Sequence, residues 1–308
     1  MQSGSGHWRS GASHRAEAAP VCRLGLIGSG IQASKSPSLH ESEAAAQGIG
    51  CVYELIDLDR LGGDIGQLPD LLADAERRGF TGLNITHPCK QAVIPLLHEV
   101  APQAEAIGAV NTIHFHAGRR IGYNTDAWGF AESFRQGMQG ASVACVAQVG
   151  AGGAGAATGF ALLELGAREL RVFDADLDRA RALARRLAAR FIDRHVRACE
   201  RIEEAIEGAD GIVNATPMGM EKHPGSAVPP AALHPHLWVA DIVYFPLETQ
   251  LLKDARAAGC RTLDGGGMAV YQAVRAFEIF TGRVADAARM RRHFDGMAAG
   301  GPDAGAGR

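Results

Sequence analysis

The segment SVACVAQVGAGGAGAATGFALLELGA, residues 142–167, limits the fold more than any other part of the chain. An apolar strand-like run passes without a spacer into glycines 150, 152 and 155, and a nearly uncharged apolar helix opens on them and closes at Gly166. Glycines in that order allow a tight turn and a close backbone approach. The free N–H groups and the positive end of the helix then face whatever anion sits at the turn. Asp174 ends the next apolar run, LRVFD, 24 positions after Gly150, close to the roughly 20 at which a carboxylate meets an adenosine ribose. The unit predicts a βαβ dinucleotide site.

The rest of the chain fits an α/β protein, because short apolar runs alternate with amphipathic stretches. RLGLI, VYELIDL, GLNIT, NTIHFH, SVACVAQVG, ELRVFD, GIVNAT and WVADIVY read as strands, and LPDLLADAERRGF and DRARALARRLAARF as helices. Parallel strands are expected, with a break near Gly137–Ser142. The 308 residues suggest about two domains. Residues 1–20 and 298–308, rich in glycine and small polar residues, read as disordered tails. A net charge of −3 spread along the chain gives no purchase to nucleic acid or an anionic membrane, and no run is long and apolar enough to span one. Six scattered cysteines without a C-x-x-C pair suit reduced thiols in a cytoplasmic protein. The pairs His114/His116 and His234/His236 lack further ligands at matching spacing, so no metal is expected.

A second glycine string, GSGIQA at residues 28–33, also fits G-x-G-x-x-A. The following helix begins with Ser36 as N-cap and Pro37 at N1, several residues beyond those glycines, so they do not open it. The loop reads as a strand-to-loop turn, with hydroxyls and free amides around Ser34 and Ser36 that suit an anion.

A carboxylate at Asp174 accepts hydrogen bonds from ribose hydroxyls and repels a 2′-phosphate, which points to NAD rather than NADP. Arg179 or Arg181 reaching a 2′-phosphate is the competing reading. Polar residues cluster at two further strand ends: Asn84, Thr86 and Lys90 in GLNITHPCKQA, and Asn124, Thr125 and Asp126 in GYNTDAWG. Open α/β sheets bind ligands at such ends. Lys90 and Asp126, if brought together, can move a proton to or from a hydroxyl. Taken singly, a solvated lysine and a helix cap explain them better.

SKSP, NITHPCK, GAVNT, YNTDAWG, GAGGAG, NATPMGM, DIVYFPLETQLLKDA and GMAVYQAVRAFEIFTG occur in this order between about Arg23 and Phe294. Together they resemble the shikimate dehydrogenases. The resemblance implies a substrate-binding α/β domain over 21–125, completed by C-terminal helices at 269–297, and a Rossmann-type NAD-binding domain with a parallel sheet over 126–268. It implies that Ser34 and Ser36, helped by Tyr244, hold a substrate carboxylate, and that Asn84, Thr86, Asn111 and Gln272 hold ring hydroxyls. Lys90 and Asp126 match the catalytic pair and also touch substrate. Gly150, Ala151, Gly152, Gly153 and Ala154 would cradle the pyrophosphate. Asp174, Asn214, Thr216, Met218, Val243, Gly267 and Met268 complete the cofactor site, with Met218, Gly267 and Met268 flanking the nicotinamide. FDADLDRA stands where NADP-using members carry Asn-Arg-Ser/Thr, and His87 and Gln91 point the same way, towards the NAD-using quinate/shikimate branch. Ser36, where some quinate-preferring members have threonine, leans back towards shikimate. A quinate-responsive sensor without catalysis and an aminoshikimate dehydrogenase remain alternatives on the same scaffold. The expected assembly is a monomer or homodimer.

Overall fold

Residues 22–299 are described by a computed structural model of the chain. Two six-stranded sheets carry the fold. The first contains β1 (Cys22–Gly28), β2 (Cys51–Asp57), β3 (Gly82–Ile85), β4 (Glu99–Val100), β5 (Thr112–His116) and β6 (Arg119–Tyr123), in the order β2-β1-β3-β5-β6-β4. The second contains β7 (Cys145–Val149), β8 (Glu169–Phe173), β9 (His195–Cys199), β10 (Gly211–Asn214), β11 (Trp238–Asp241) and β12 (Arg261–Leu263), in the order β12-β11-β10-β7-β8-β9. All pairings in the second sheet are parallel. Its order reverses between β7 and β10, the place where doubly wound sheets open a crevice for a dinucleotide.

The eight strands read from the sequence are all present. Four more were not legible. β4, β6, β9 and β12 are short, and each carries charged or exposed residues in place of an apolar run. The expectation of parallel strands fails in the first sheet, where β5 pairs antiparallel with both β3 and β6. The hairpin turn Ala117-Gly118, with φ of 49° and 72°, returns the chain directly and leaves no room for a crossover helix. The tails expected at 1–20 and 300–308 lie outside the described residues. Residues 298 and 299, assigned to the tail, instead end the helix Ala287–Ala299, whose Met297 packs on the cluster of Phe277, Met290 and Phe294.

The helix Gly266–Thr281 joins the two halves. Its Ala276 and Phe280 pack with Cys22, Leu24, Leu26 and Tyr53 on one face of the first sheet, and Phe277 is fully buried. Its first turns cross the helix Asp126–Gly137 at two glycines. A Cβ on Gly129 would stand 2.7 Å from the Gln272 nitrogen and 3.0 Å from the Met268 oxygen, and one on Gly267 would stand 2.1 Å from Ser133 Oγ. Because the Gly129 neighbours are backbone, they cannot rotate away. Gly129→Ala should therefore destabilise the protein by about 1–3 kcal/mol, lowering the melting temperature by roughly 3–10 °C. It should also lower turnover, since Asp126 stands at the start of the same helix. A melting curve superimposable on wild type would refute the close crossing.

Candidate active site

The two carboxyl ends of β1 and β3 bring the first polar groups together. Gly28 makes this possible: a side chain there would meet Thr86 Cγ2 at 2.3 Å and the His87 carbonyl at 2.9 Å. Ser29 N donates to that carbonyl at 2.9 Å. The amides of GSGIQA serve the protein itself. Gly30 N and Ile31 N donate to Asp57 at 3.0 and 3.2 Å, and Gln32 Nε2 joins them at 2.8 Å. Burial raises the Asp57 carboxyl, but Gln32 and the Gly30, Asp59 and Ile31 amides outweigh it and hold it below its ordinary value.

The amides expected to be free around Ser34 and Ser36 are engaged as well. Ser34 N donates to Ile31 O and Ser36 N to Ser34 Oγ. Lys35 is the N-cap and Pro37 falls in the first turn, so the helix starts one residue before the sequence places it. What the loop offers a ligand is the two half-buried hydroxyls.

Lys90 lies on the one-turn helix Cys89–Ala92, and Asp126 opens the helix Asp126–Gly137. Lys90 Nζ donates to Asp126 Oδ2 at 2.5 Å, with side-chain exposures of 16% and 7%. Asn111 Nδ2 donates to the other carboxylate oxygen at 2.9 Å, and Asn111 Oδ1 accepts from Thr125 N at 2.7 Å. Asn124, which the sequence grouped with Asp126, turns away: its amide bonds Ala109 O and it caps Ala127 N. Asn84 Oδ1 accepts from the Tyr53 hydroxyl at 2.9 Å. Burial pushes the Tyr53 phenol well above its ordinary value while the Ser36 side chain pulls it down. Tyr244 is 39% exposed, yet burial of its hydroxyl, followed by the charge of Asp126, raises its phenol too. Gln272 Nε2 folds back on Ala269 O of its own helix at 3.0 Å, and among the described residues no side-chain hydrogen bond joins it to the others.

The second sheet brings its glycine loop up to this cluster. Gly150 has φ of 106°, and a Cβ there would stand 2.7 Å from Ala215 O, so the turn needs glycine and the β7 and β10 loops touch across the crevice. A side chain at Gly155 would strike Gly150 O at 2.3 Å, whereas Gly152, the N-cap of the helix Gly153–Glu164, has open space before it. That combination of close turn and open helix end fits a pyrophosphate. Gly153 sits against the Lys90 stem, its Cβ position 3.3 Å from Lys90 Cβ. Ala154 follows it in the first turn of that helix. Asp174 Oδ2 accepts from Ala151 N at 2.7 Å, at the rim of the loop.

Several residues that organise the site were missed in the sequence. Gln148, buried in β7, donates to Gly150 O at 3.0 Å and Gly155 O at 2.8 Å, clamping the loop from below. A glutamine inside an otherwise apolar strand was the available signal. Asp241 accepts from Asn214 Nδ2 at 2.9 Å, Val243 N at 3.0 Å and Thr249 Oγ1 at 2.7 Å. Asn214 also donates to Met218 O and accepts from Thr216, so this carboxylate ties down the loops carrying Thr216, Met218 and Val243.

Burial lifts the Asp241 carboxyl from 3.8 to about 6, against the pull of Thr249, Val243 and Asn214. The folded state thus holds this proton more tightly than the unfolded chain, and the associated stability is present below pH 3.8 and lost as pH rises through about 6. Keeping the charge buried above that costs on the order of 3 kcal/mol. Asp241→Asn carries no such loss, so its melting temperature should gain on wild type between about pH 4 and about pH 7. A difference that stays flat with pH would refute the assignment.

Among the described residues, no group of three or more His, Cys, Asp or Glu could hold a metal ion, and no helix is long and apolar enough to cross a membrane. The six cysteines are free thiols.

Comparison with known proteins places this arrangement. The family profile for the shikimate dehydrogenase substrate binding domain matches residues 26–113, and that for the shikimate 5′-dehydrogenase C-terminal domain matches 265–293. The chain is 56% identical over 269 residues to a shikimate dehydrogenase (NADP(+)) of Streptomyces avermitilis, covering 87% of this chain and 92% of the relative. It is 51% identical over 276 residues to a quinate/shikimate dehydrogenase (NAD(+)) of Corynebacterium efficiens, covering 88% and 96%. The quinate dehydrogenase of Corynebacterium glutamicum, solved in complex with NAD, superposes with a TM-score of 0.82 at 48% identity, covering 90% of this chain and 99% of that one. Two profiles at opposite ends of the chain and relatives matched over nearly their whole length agree, and the chain belongs to the shikimate dehydrogenase family.

Proposed function

We propose that the protein is an NAD-dependent shikimate/quinate dehydrogenase that interconverts shikimate or quinate with the 3-dehydro ketone. The observation that carries this reading is the Lys90–Asp126 pair at 2.5 Å, set directly against Gly153 of the dinucleotide loop. A proton carrier beside the cofactor loop is the arrangement that oxidation of a carbinol requires.

When bound, NAD supplies the hydride acceptor. Gly150, Ala151, Gly152, Gly153 and Ala154 hold its pyrophosphate, Asp174 its ribose, and Asn214, Thr216, Met218, Val243, Gly267 and Met268 shape the nicotinamide end. Ser34, Ser36 and Tyr244 bind the substrate carboxylate. Asn84, Thr86, Asn111 and Gln272 orient ring hydroxyls, Gln272 after releasing Ala269 O. In its neutral amine form Lys90 Nζ takes the hydroxyl proton during oxidation, and the ammonium so formed, held by Asp126, returns that proton during reduction. Residues 21–125 with 269–297 serve as the substrate domain, and 126–268 as the cofactor domain.

NAD is favoured over NADP by three contacts. The Asp174 carboxylate stands at the loop rim, and the two arginines that could greet a 2′-phosphate are already paired, Arg179 with Asp176 at 3.2 Å and Arg181 with Glu200 at 3.2 Å. We place the enzyme in the cytoplasm, acting as a monomer or homodimer on small molecules.

The test is a two-by-two assay of shikimate and quinate with NAD and NADP, followed by reduced-cofactor absorbance. Turnover with NAD is expected. Calorimetric binding of quinate without any cofactor reduction would make the protein a sensor instead.

A further inference from the structure

Thr112 belongs to GAVNT, yet the proposed function uses only its neighbour Asn111. Resting on that functional reading, we infer that Thr112 is a positioning residue for the proton-transfer pair, the middle link of a one-way hydrogen-bond chain running from Tyr53 to Asp126. The Tyr53 hydroxyl donates to Asn84 Oδ1 at 2.9 Å, and Asn84 Nδ2 donates to Thr112 Oγ1 at 3.2 Å. Thr112 Oγ1 donates to Asn111 Oδ1 at 3.1 Å, and Asn111 Nδ2 donates to Asp126 Oδ1 at 2.9 Å. Lys90 holds the opposite carboxylate oxygen.

The sense of the chain is fixed by groups that can act in only one way. Asn111 Oδ1 faces the Thr125 N–H, a pure donor, and its Nδ2 faces a carboxylate, a pure acceptor, so that amide cannot be flipped. Asn84 Nδ2 also reaches the Asn111 carbonyl, at 3.4 Å, which orients the second amide. Thr112 must then accept from Asn84 and donate to Asn111. The nearby Thr125 hydroxyl, 3.4 Å away, already exchanges hydrogen bonds with Asn111 and does not substitute.

Register puts the links in place, since Asn84 and Thr112 are paired residues of β3 and β5. Burial keeps them there. Thr112 is fully buried and no protein member of the chain from Tyr53 to Asp126 is more than 7% exposed, so water cannot replace a missing link. Successive donors polarise one another in such surroundings. The groups proposed to hold the substrate ring are thereby mechanically joined to the pair proposed to move its proton.

Thr112→Val keeps the branched shape and removes only the hydroxyl. Turnover of the faster substrate should fall about tenfold to a hundredfold, as displacement of a reacting group by about 1 Å does, with KM for NAD changed by no more than about twofold. Thr112→Ser should restore turnover to within about threefold of wild type. A threonine needed only for folding would lower the melting temperature and leave turnover of the folded fraction unmoved, so Thr112→Val turnover within about twofold of wild type overturns the inference. Should the valine variant not fold, Tyr53→Phe removes the first donor. Lowered turnover at unchanged NAD affinity then supports the chain, and unchanged turnover overturns it. A wild type that oxidises neither substrate with either cofactor refutes the functional reading and this inference together. An active wild type, a dead Lys90→Ala and an unaffected Thr112→Val refute this inference alone.

Discussion

Replacing Lys90 with alanine is expected to lower turnover by about 10²–10⁴-fold, the range typical of a lost general acid or base. The side chain is four-fifths enclosed or more, with 16% exposure, its stem on Gly153 and its ammonium on Asp126. Truncation removes the one cationic group that, among the described residues, lies within salt-bridge distance of Asp126. Asp126 keeps its bond from Asn111, so the fold survives. NAD affinity should change little, because Gln148 clamps the glycine loop from below and Ala215 packs at its side, and the Lys90 Cβ that lies against Gly153 is kept in alanine. Turnover and NAD binding measured on the same preparation separate the two effects. Wild-type-like turnover would remove Lys90 from the chemistry, and a parallel loss of NAD binding would make it structural.

The second large effect concerns the cofactor. Asp174→Ala should raise the preference for NADP over NAD by roughly 10²-fold, because juxtaposing a carboxylate and a 2′-phosphate costs several kcal/mol and each ~1.4 kcal/mol is a factor of ten. The variant also frees the Ala151 N–H from the carboxylate oxygen that now occupies it at 2.7 Å, exposing a donor suited to phosphate. Part of the shift comes from lost NAD affinity and part from gained NADP affinity, so kcat/KM with both cofactors is the measurement. An unchanged ratio would show that Asp174 does not read the ribose. A relative of Streptomyces avermitilis, 56% identical, is named for NADP(+), so both cofactors belong in the measurement.

What could be read from the chain beforehand followed from period and adjacency. The glycine loop was legible because strand, turn and helix are contiguous, and Asp174 because it sits one strand away. Polar clusters at strand ends singled out Lys90 and Asp126, and the order of the short polar strings pointed to the family whose catalytic pair they match. Their contact itself depends on β5 lying between β3 and β6, antiparallel to both, which no local pattern announces. Tyr53 and Thr112 stayed hidden for a related reason. Each sits in a strand whose apolar neighbours make it look like core, and only register sets their hydroxyls beside Asn84. Asp57 and the GSGIQA amides show the opposite case, where a string that resembles a phosphate loop is filled by the protein's own carboxylate.

The helix Gly266–Thr281 also bears on how the chain is made. The strands β7 to β12 and the turns between them lie within residues 145–263, so the second sheet is assembled from one uninterrupted stretch. The first sheet, although synthesised earlier, relies on Ala276 and Phe280 to complete the cover of a face that includes Leu24, Leu26 and Tyr53. Until those residues leave the ribosome, that face is covered only in part, by neighbours such as Ile31 and His40. The half that emerges first is therefore the half that finishes last.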